Sequence, residues 1–268
     1  MHIEEIIQKI EATDKRAAQL AQVRFDALIK PVGSLAKLET MTTRYAAITG
    51  EYDKEKMKTP HRAILVWAGI EQADFAGKLM EGKTTLNVLA ESSNAEIYPL
   101  LVMSENEADA YEEGMALVQE LVLCHKLDFV AIGSLADEND AMVLAAMTGG
   151  ILQAAAMKKG IMLDGVASCR AAAKAVEMAP LTKEYCFAGH LAAEAGAEEA
   201  LQLLELEAPL RLHIPDGSGA GAAVCFSLLD AGIKAYKEME TFEEAGVHIE
   251  MKEYSRKEEV KASHWKQL

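Results

Sequence analysis

The feature that most constrains this chain is an alternation of short apolar runs with longer helix-patterned segments. The apolar runs fall near 63–68, 96–103, 128–133, 160–165 and 185–190. Helical patterning occupies 74–92, 105–125, 141–158, 168–178 and 192–204 between and after them. Parallel strands need a crossover, and a helix covering the sheet is the usual one, so this rhythm predicts an α/β fold with a doubly wound, Rossmann-like parallel sheet. Pro99 cannot donate to a ladder, which makes the second strand irregular or places it at an edge. Residues 3–50 read as helices broken at Pro31 and Gly33, so a small helical layer from 1–60 and 230–268 is expected to flank an α/β core at 61–229. The last twenty residues read as a surface helix or a loose tail.

Ligands in such folds bind beyond the carboxyl ends of the strands. Four segments stand there: 70–72, 133–139, 164–167 and 189–194. In "GHLAAE", His190 and Glu194 would share a face if a helix starts at once; a metal would need a third ligand, and a histidine hydrogen-bonded at a strand end is the simpler reading. "HIPDGSGAGAAV", 213–224, has two readings. Asp216 caps the following helix, or Gly217, Ser218 and Gly219 expose backbone N–H groups to an anion or ribose while Asp216 acts as a general base. "KPVGSL", 30–35, reads as a helix–helix corner in which Ser34 caps the next helix. Cys124 and His125 are read as a helix end. No dinucleotide fingerprint, phosphate-binding P-loop, nucleophile elbow or zinc motif is present.

With a net charge of −15, a long basic face for nucleic acid is excluded, and the acidity is read as a solvated cytoplasmic surface. The four cysteines lie in apolar surroundings without a C-x-x-C pair and are expected to be buried, reduced thiols. The amphipathic, charged start does not read as a signal peptide. The most membrane-like stretch, 141–157, carries Thr148 and Gln153 and reads as a buried helix, so no membrane is expected as a partner.

Taken in order, these pieces resemble one family, the nicotinate-nucleotide:dimethylbenzimidazole phosphoribosyltransferases (CobT-type). The family pattern R-x-D-x-L-x-K-P-P-G-S-L-G-x-L-E stands here as "RFDALIKPVGSLAKLE", with Val32 and Ala36 replacing a proline and a glycine. "MLDG", "AGHLAAE", "ALQLLELEAPLRL", "HIPDGSGAG" and "ETFEEAGV" are similar to the family's later blocks, in the same order, from Ile161 to Val247.

The resemblance implies transfer of phosphoribose from nicotinate mononucleotide to an aromatic base in cobamide biosynthesis, without a metal or other cofactor. It implies Asp216 as the general base where the family has a glutamate, a carboxylate drawn back by one methylene, about 1.5 Å. It implies Lys30, Gly33, Ser34, Asp164, Gly165, His190, Gly217, Ser218 and Gly219 at substrate. Two departures stand against full competence. "WAGIEQAD" replaces an Asp-His-Gly after the first strand, and "IGSLADEND" puts Asp137, Glu138 and Asp140 where the family's "GEMGIGNTT" lies near phosphate. A middle segment is also missing. The chain therefore resembles the lesser subunit of the two-subunit, phenol- or p-cresol-activating (ArsAB-type) enzymes. That implies a heterodimer with a full-length paralogue, a homodimer remaining open. The alternatives are a non-catalytic partner that stabilises or regulates such a paralogue, and a stand-alone binder of small aromatic or nucleotide ligands. Leu28, Leu35 and Leu38 are then expected against a partner, and Lys30 beside the partner's anionic ligand.

Overall fold

The computed structural model describes residues 2–247. The reading of the last twenty residues, and the end of the expected helical layer, lie outside them. Three helices come first: α1 (Ile3–Ile7), α2 (Lys15–Ala27) and α3 (Lys37–Thr49). Then β1 (Arg62–Ala68), α4 (Ala73–Met80), α5 (Thr85–Ser92), β2 (Ala95–Leu101), α6 (Glu107–His125) and β3 (Phe129–Ser134) follow. The remainder is α7 (Ala141–Ala156), β4 (Gly160–Leu163), α8 (Gly165–Met178), β5 (Cys186–Ala188), α9 (Ala197–Leu203) and α10 (Ala220–Glu238).

The five strands form one all-parallel sheet in the order β2-β1-β3-β4-β5. The chain reverses direction of winding between β1 and β3, which is where doubly wound sheets bind ligands. β1 and β3 are buried along their whole length, as apolar runs covered on both faces must be. Side chains alternate accordingly. Trp67 reaches toward Gly150 of α7, whereas Arg62 reaches α10, donating to the Phe226 carbonyl and, at 2.7 and 2.9 Å, to the Asp230 carboxylate. β2 lies at the edge, as Pro99 requires.

Three helical expectations change. The run 74–92 is two helices, because Gly82 takes a positive φ of 74° and Thr84 starts α5 with a reciprocal capping box to Asn87. The run 192–204 is helical only from α9 onward, since Gly196 in the left-handed region starts that helix late. His190 and Glu194 therefore share no helical face. The boundary expected at 229/230 falls inside α10, a continuous helix whose Phe226 and Tyr236 join Phe25, Tyr45 and Phe129 in one core. Leu28 is wholly buried in that core rather than left for a partner, while Leu35 and Leu38 are half-buried. Cys169, Cys186 and Cys225 are buried as expected, but Cys124 is exposed near the end of α6. The segment 141–157 is the buried α7, and among the described residues no helix is long and apolar enough to cross a membrane.

α6 and α7 cross with their backbones nearly touching. A Cβ at Gly114 would lie 1.8 Å from the Ala146 carbonyl oxygen, and one at Gly149 would lie 2.2 Å from that of Tyr111. Gly149→Val must push the helices apart, and a cost of about 2 kcal/mol or more is expected. Urea unfolding measures it. A variant within about 0.5 kcal/mol of the parent, the range of neutral surface changes, would contradict the close crossing.

Candidate functional site at the carboxyl ends of the strands

β4 leads directly into Asp164, a carboxylate with no solvent exposure. Its Oδ1 lies 2.8 Å from Nδ1 of His190, which follows β5 and is equally enclosed. The contact falls outside good hydrogen-bond geometry, and the two groups form an ion pair when His190 is protonated. Oδ2 accepts the Gly221 N–H at 3.1 Å, in the first turn of α10. One carboxylate thus ties β4, β5 and α10 together. Burial works against a charged His190, but the Asp164 carboxylate outweighs it with help from the Ile214 carbonyl and Glu194, and the pKa lies above the ordinary histidine value. His190 stands at a strand end as expected, but it is held by closeness to Asp164 rather than by the well-formed hydrogen bond that was expected.

The glycine-rich segment 217–221 lies across these ends because nothing larger fits there. A Cβ on Gly133 would stand 2.3 Å from the Ser218 carbonyl carbon, and one on Gly165 2.6 Å from Gly217 Cα. A Cβ on Gly221 would meet His190 Nδ1 at 1.8 Å. Gly219, at φ 119°, occupies a backbone region open to glycine, and it is the N-cap of α10. Ser134 N–H donates to the Gly217 carbonyl at 2.9 Å and fixes the loop to the end of β3. Asp216 is therefore not the cap of α10. It accepts the Ser218 N–H at 2.8 Å, which holds an exposed carboxylate at the lip of the loop.

Three helix N-termini converge on this edge, and each is met by a carboxylate of the chain itself. Asp140 accepts from Met142 and Val143 N–H at the start of α7. Glu194 accepts from Val166 N–H at 2.5 Å at the start of α8. Asp164 does the same for α10. The positive ends that would attract a phosphate are partly neutralised from within. Around them Glu138 pairs with Arg170 at 3.2 Å, and Asp137 accepts from Asn139 N–H. Burial, with Asp164, Glu138 and Asp216 nearby, raises the Glu194 pKa against the lowering effect of its Val166 bond. Among the described residues no group of three or more His, Cys, Asp or Glu is placed to hold a metal ion.

The expected site residues thus divide. Asp164, Gly165, His190, Asp216, Gly217, Ser218 and Gly219 come together. Lys30, Gly33 and Ser34 sit at the α2–α3 corner. There Lys30 is neither solvated nor unpaired. Its ammonium lies 2.8 Å from Glu39, both side chains are almost fully buried, and Glu39 also accepts from Leu35 N–H at 3.0 Å and from Gln22. Gly33 is exposed at φ 72°. Ser34 is exposed and does not cap α3, whose N-cap is Ala36 at φ 43° with no side-chain bond. Glu194 is the site member that sequence reading cast in another role. Its signal was the run of small residues after Gly189, which suits an extended crossing as well as a helix.

Glu194 and His190 both hold protons more tightly in the fold than in the open chain. For each, the stabilising contribution is full below its ordinary value and is lost as pH rises through its raised folded value. The share of stability due to these two groups should therefore fall in two steps with rising pH, the first belonging to Glu194, while Glu39, Glu96 and Glu244, whose pKa values are lowered, act with the opposite sign in acid. In Glu194→Gln the amide oxygen still accepts from Val166 N–H, so the first step should vanish and the second remain. Urea midpoints between about pH 4 and pH 8 bracket the ordinary values of both groups. A profile unchanged by the substitution would refute the assignment.

A phosphoribosyltransferase family model, DBI_PRT, matches residues 10–111 and 107–247. A nicotinate-nucleotide–dimethylbenzimidazole phosphoribosyltransferase from Geotalea uraniireducens (strain Rf4) is 26% identical over 347 aligned positions, covering 91% of this chain and 98% of that relative. The alignment is longer than the 268 residues here, so the relative carries residues that face gaps in this chain. A protein of the same name from Geobacter metallireducens (strain ATCC 53774 / DSM 7210 / GS-15) is 41% identical over 104 residues, 39% of this chain and 30% of its own length. The fold is shared with CobT from Thermus thermophilus, at a TM-score of 0.77 and 19% identity over 87% of this chain and 99% of that one. With the family model running through every element from α2 to α10, this chain belongs to the DBI_PRT phosphoribosyltransferase family.

Proposed function

We propose that this chain serves, as one subunit of a complex, in moving phosphoribose from nicotinate mononucleotide to an aromatic lower-ligand base, a benzimidazole or a phenol, during cobamide synthesis. The observation that carries this reading is the Asp216–Gly219 loop packed over the strand ends of a DBI_PRT fold. In the reaction the C1′–N bond to nicotinate breaks and its electron pair leaves with nicotinate. A lone pair of the acceptor nitrogen or oxygen bonds to C1′, and the acceptor's proton passes to the Asp216 carboxylate. That carboxylate also offsets positive charge on the sugar as the bond breaks.

The subunit role is supported by the three occupied helix N-termini, which leave little for the 5′-phosphate of the chain's own substrate. A fuller paralogue would supply the phosphate contacts. The corner 28–36 supports an interface, because Ile29 and Val32, with Val23 beside them on α2, leave apolar surface there. On this reading Gly33 and Ser34 approach the partner, and Lys30 reaches a ligand only by leaving Glu39. A dissimilar relative suits the missing phosphate loop better than a second copy does, and the working location is the cytoplasm.

The test is nicotinate release from nicotinate mononucleotide and p-cresol or dimethylbenzimidazole, using the chain alone, with its paralogue, and as Asp216→Asn with its paralogue. The chain alone should be silent and the pair active. Losing the proton acceptor should slow the pair by roughly a hundredfold or more. A pair that needs this chain but ignores Asp216→Asn would favour the stabilising or regulatory reading, for which the occupied N-termini are the specific support. Full turnover by the chain alone would overturn the subunit role.

A further inference from the structure

On the β5 edge of the sheet a cavity of about 290 Å³ opens between α3, β5 and residues 205–209. Met41, Phe187, Ala188, Leu206 and Pro209 supply apolar walls. Arg44 enters from α3. Its guanidinium carbon lies 5.5 Å from the Phe187 ring centroid, and Nη1–H donates to the Cys186 carbonyl at 2.6 Å. A guanidinium carries five N–H donors, so most remain for something else.

The charges around Arg44 are already committed elsewhere. Among the described residues, no carboxylate lies within ion-pair distance of it. Glu184 acts on it at longer range and is itself bound by the Thr13 N–H and hydroxyl. Glu205 and Glu207 line the cavity, but they are paired with Lys183 and Lys37, and their side chains are 81% and 80% exposed. Water screens such exposed pairs. What remains in a cavity of mixed polar and apolar lining is one guanidinium with no carboxylate at ion-pair distance, lying against an aromatic ring.

We propose that this cavity is a second ligand site, taking a small flat monocarboxylate whose carboxylate pairs with Arg44 and whose ring fills the apolar space beside it. Arginine is suited to this because its planar fork meets a carboxylate with two parallel hydrogen bonds. Drug-sized pockets begin near roughly 300 Å³, so the volume fits a single-ring acid rather than a nucleotide. Burial, the main influence on Arg44, works against its charge, and a bound carboxylate would offset that cost. The proposal does not depend on phosphoribosyl transfer.

Benzoate and nicotinate, titrated into the full chain by calorimetry and followed by NMR shifts, test it, with nicotinamide as the uncharged counterpart. One saturable site is expected for both acids, with nicotinamide weaker by roughly tenfold or more, as for loss of a charge-assisted pair. Arg44→Gln should weaken the acids similarly. Because Arg44 also holds the Cys186 carbonyl, Thr40→Trp is the second variant. It crowds the cavity from an exposed position and leaves the guanidinium in place. Asp216→Asn should leave binding unchanged. The proposal is overturned if neither acid saturates at millimolar concentration, if nicotinamide binds as well as nicotinate, or if both cavity variants bind like the parent. Loss of binding in Asp216→Asn would likewise overturn it, by moving the ligand to the strand ends.

Discussion

The carboxyl edge of the sheet is organised by one buried carboxylate. Asp164 gives one oxygen to His190 and the other to the first turn of α10, so a strand end, the next strand end and the last long helix share a single anchor. Neither charge of the pair is exposed, and removing either would leave the other buried and unpaired, an expensive state. The glycines follow from this geometry. α10 can approach Asp164 and His190 only if residue 221 has no side chain, and the loop before α10 can cross β3 and β4 only through Gly133, Gly165 and Gly217. The glycine-rich stretch is therefore a packing requirement as much as a loop offered to a ligand.

At the same edge, helix N-termini are met by carboxylates of the chain itself. Parallel α/β folds point helix N-termini at the ligand, and those dipoles suit phosphate. Here Asp140, Glu194 and Asp164 each provide an internal carboxylate at such an end. The helix ends are capped, and an external anion there would face these carboxylates. Asp216 is different, since its one backbone bond comes from Ser218 and it remains exposed at the rim.

How much of this could be read from residues alone depends on distance along the chain. β1 and β3 were legible because a strand buried on both faces is a continuous apolar run, and Pro99 left β2 either irregular or at an edge, of which the edge is found. The glycine loop was legible as a cluster, but its place over β3 and β4 was not. The Asp164–His190 contact joins two strand ends through the sheet register, which no local pattern encodes. Lys30 and Glu39 are nearer in sequence, yet the turn at Ala36 that closes them together needs a left-handed backbone at an alanine, against local preference. "GHLAAE" misled because alanine-rich runs favour helix, while the bonds from Leu191 to Leu210 and from Ala193 to Ile214 hold this one extended.

The two outer strands carry a consequence of their own for self-association. An open sheet edge is a template for growth by strand addition and a route to aggregates. On one side β2 carries Pro99, which has no N–H to offer a new strand, and on the other β5 is only three residues long. Neither edge invites a further strand. A chain arranged in this way can associate through its helices while resisting fibril growth.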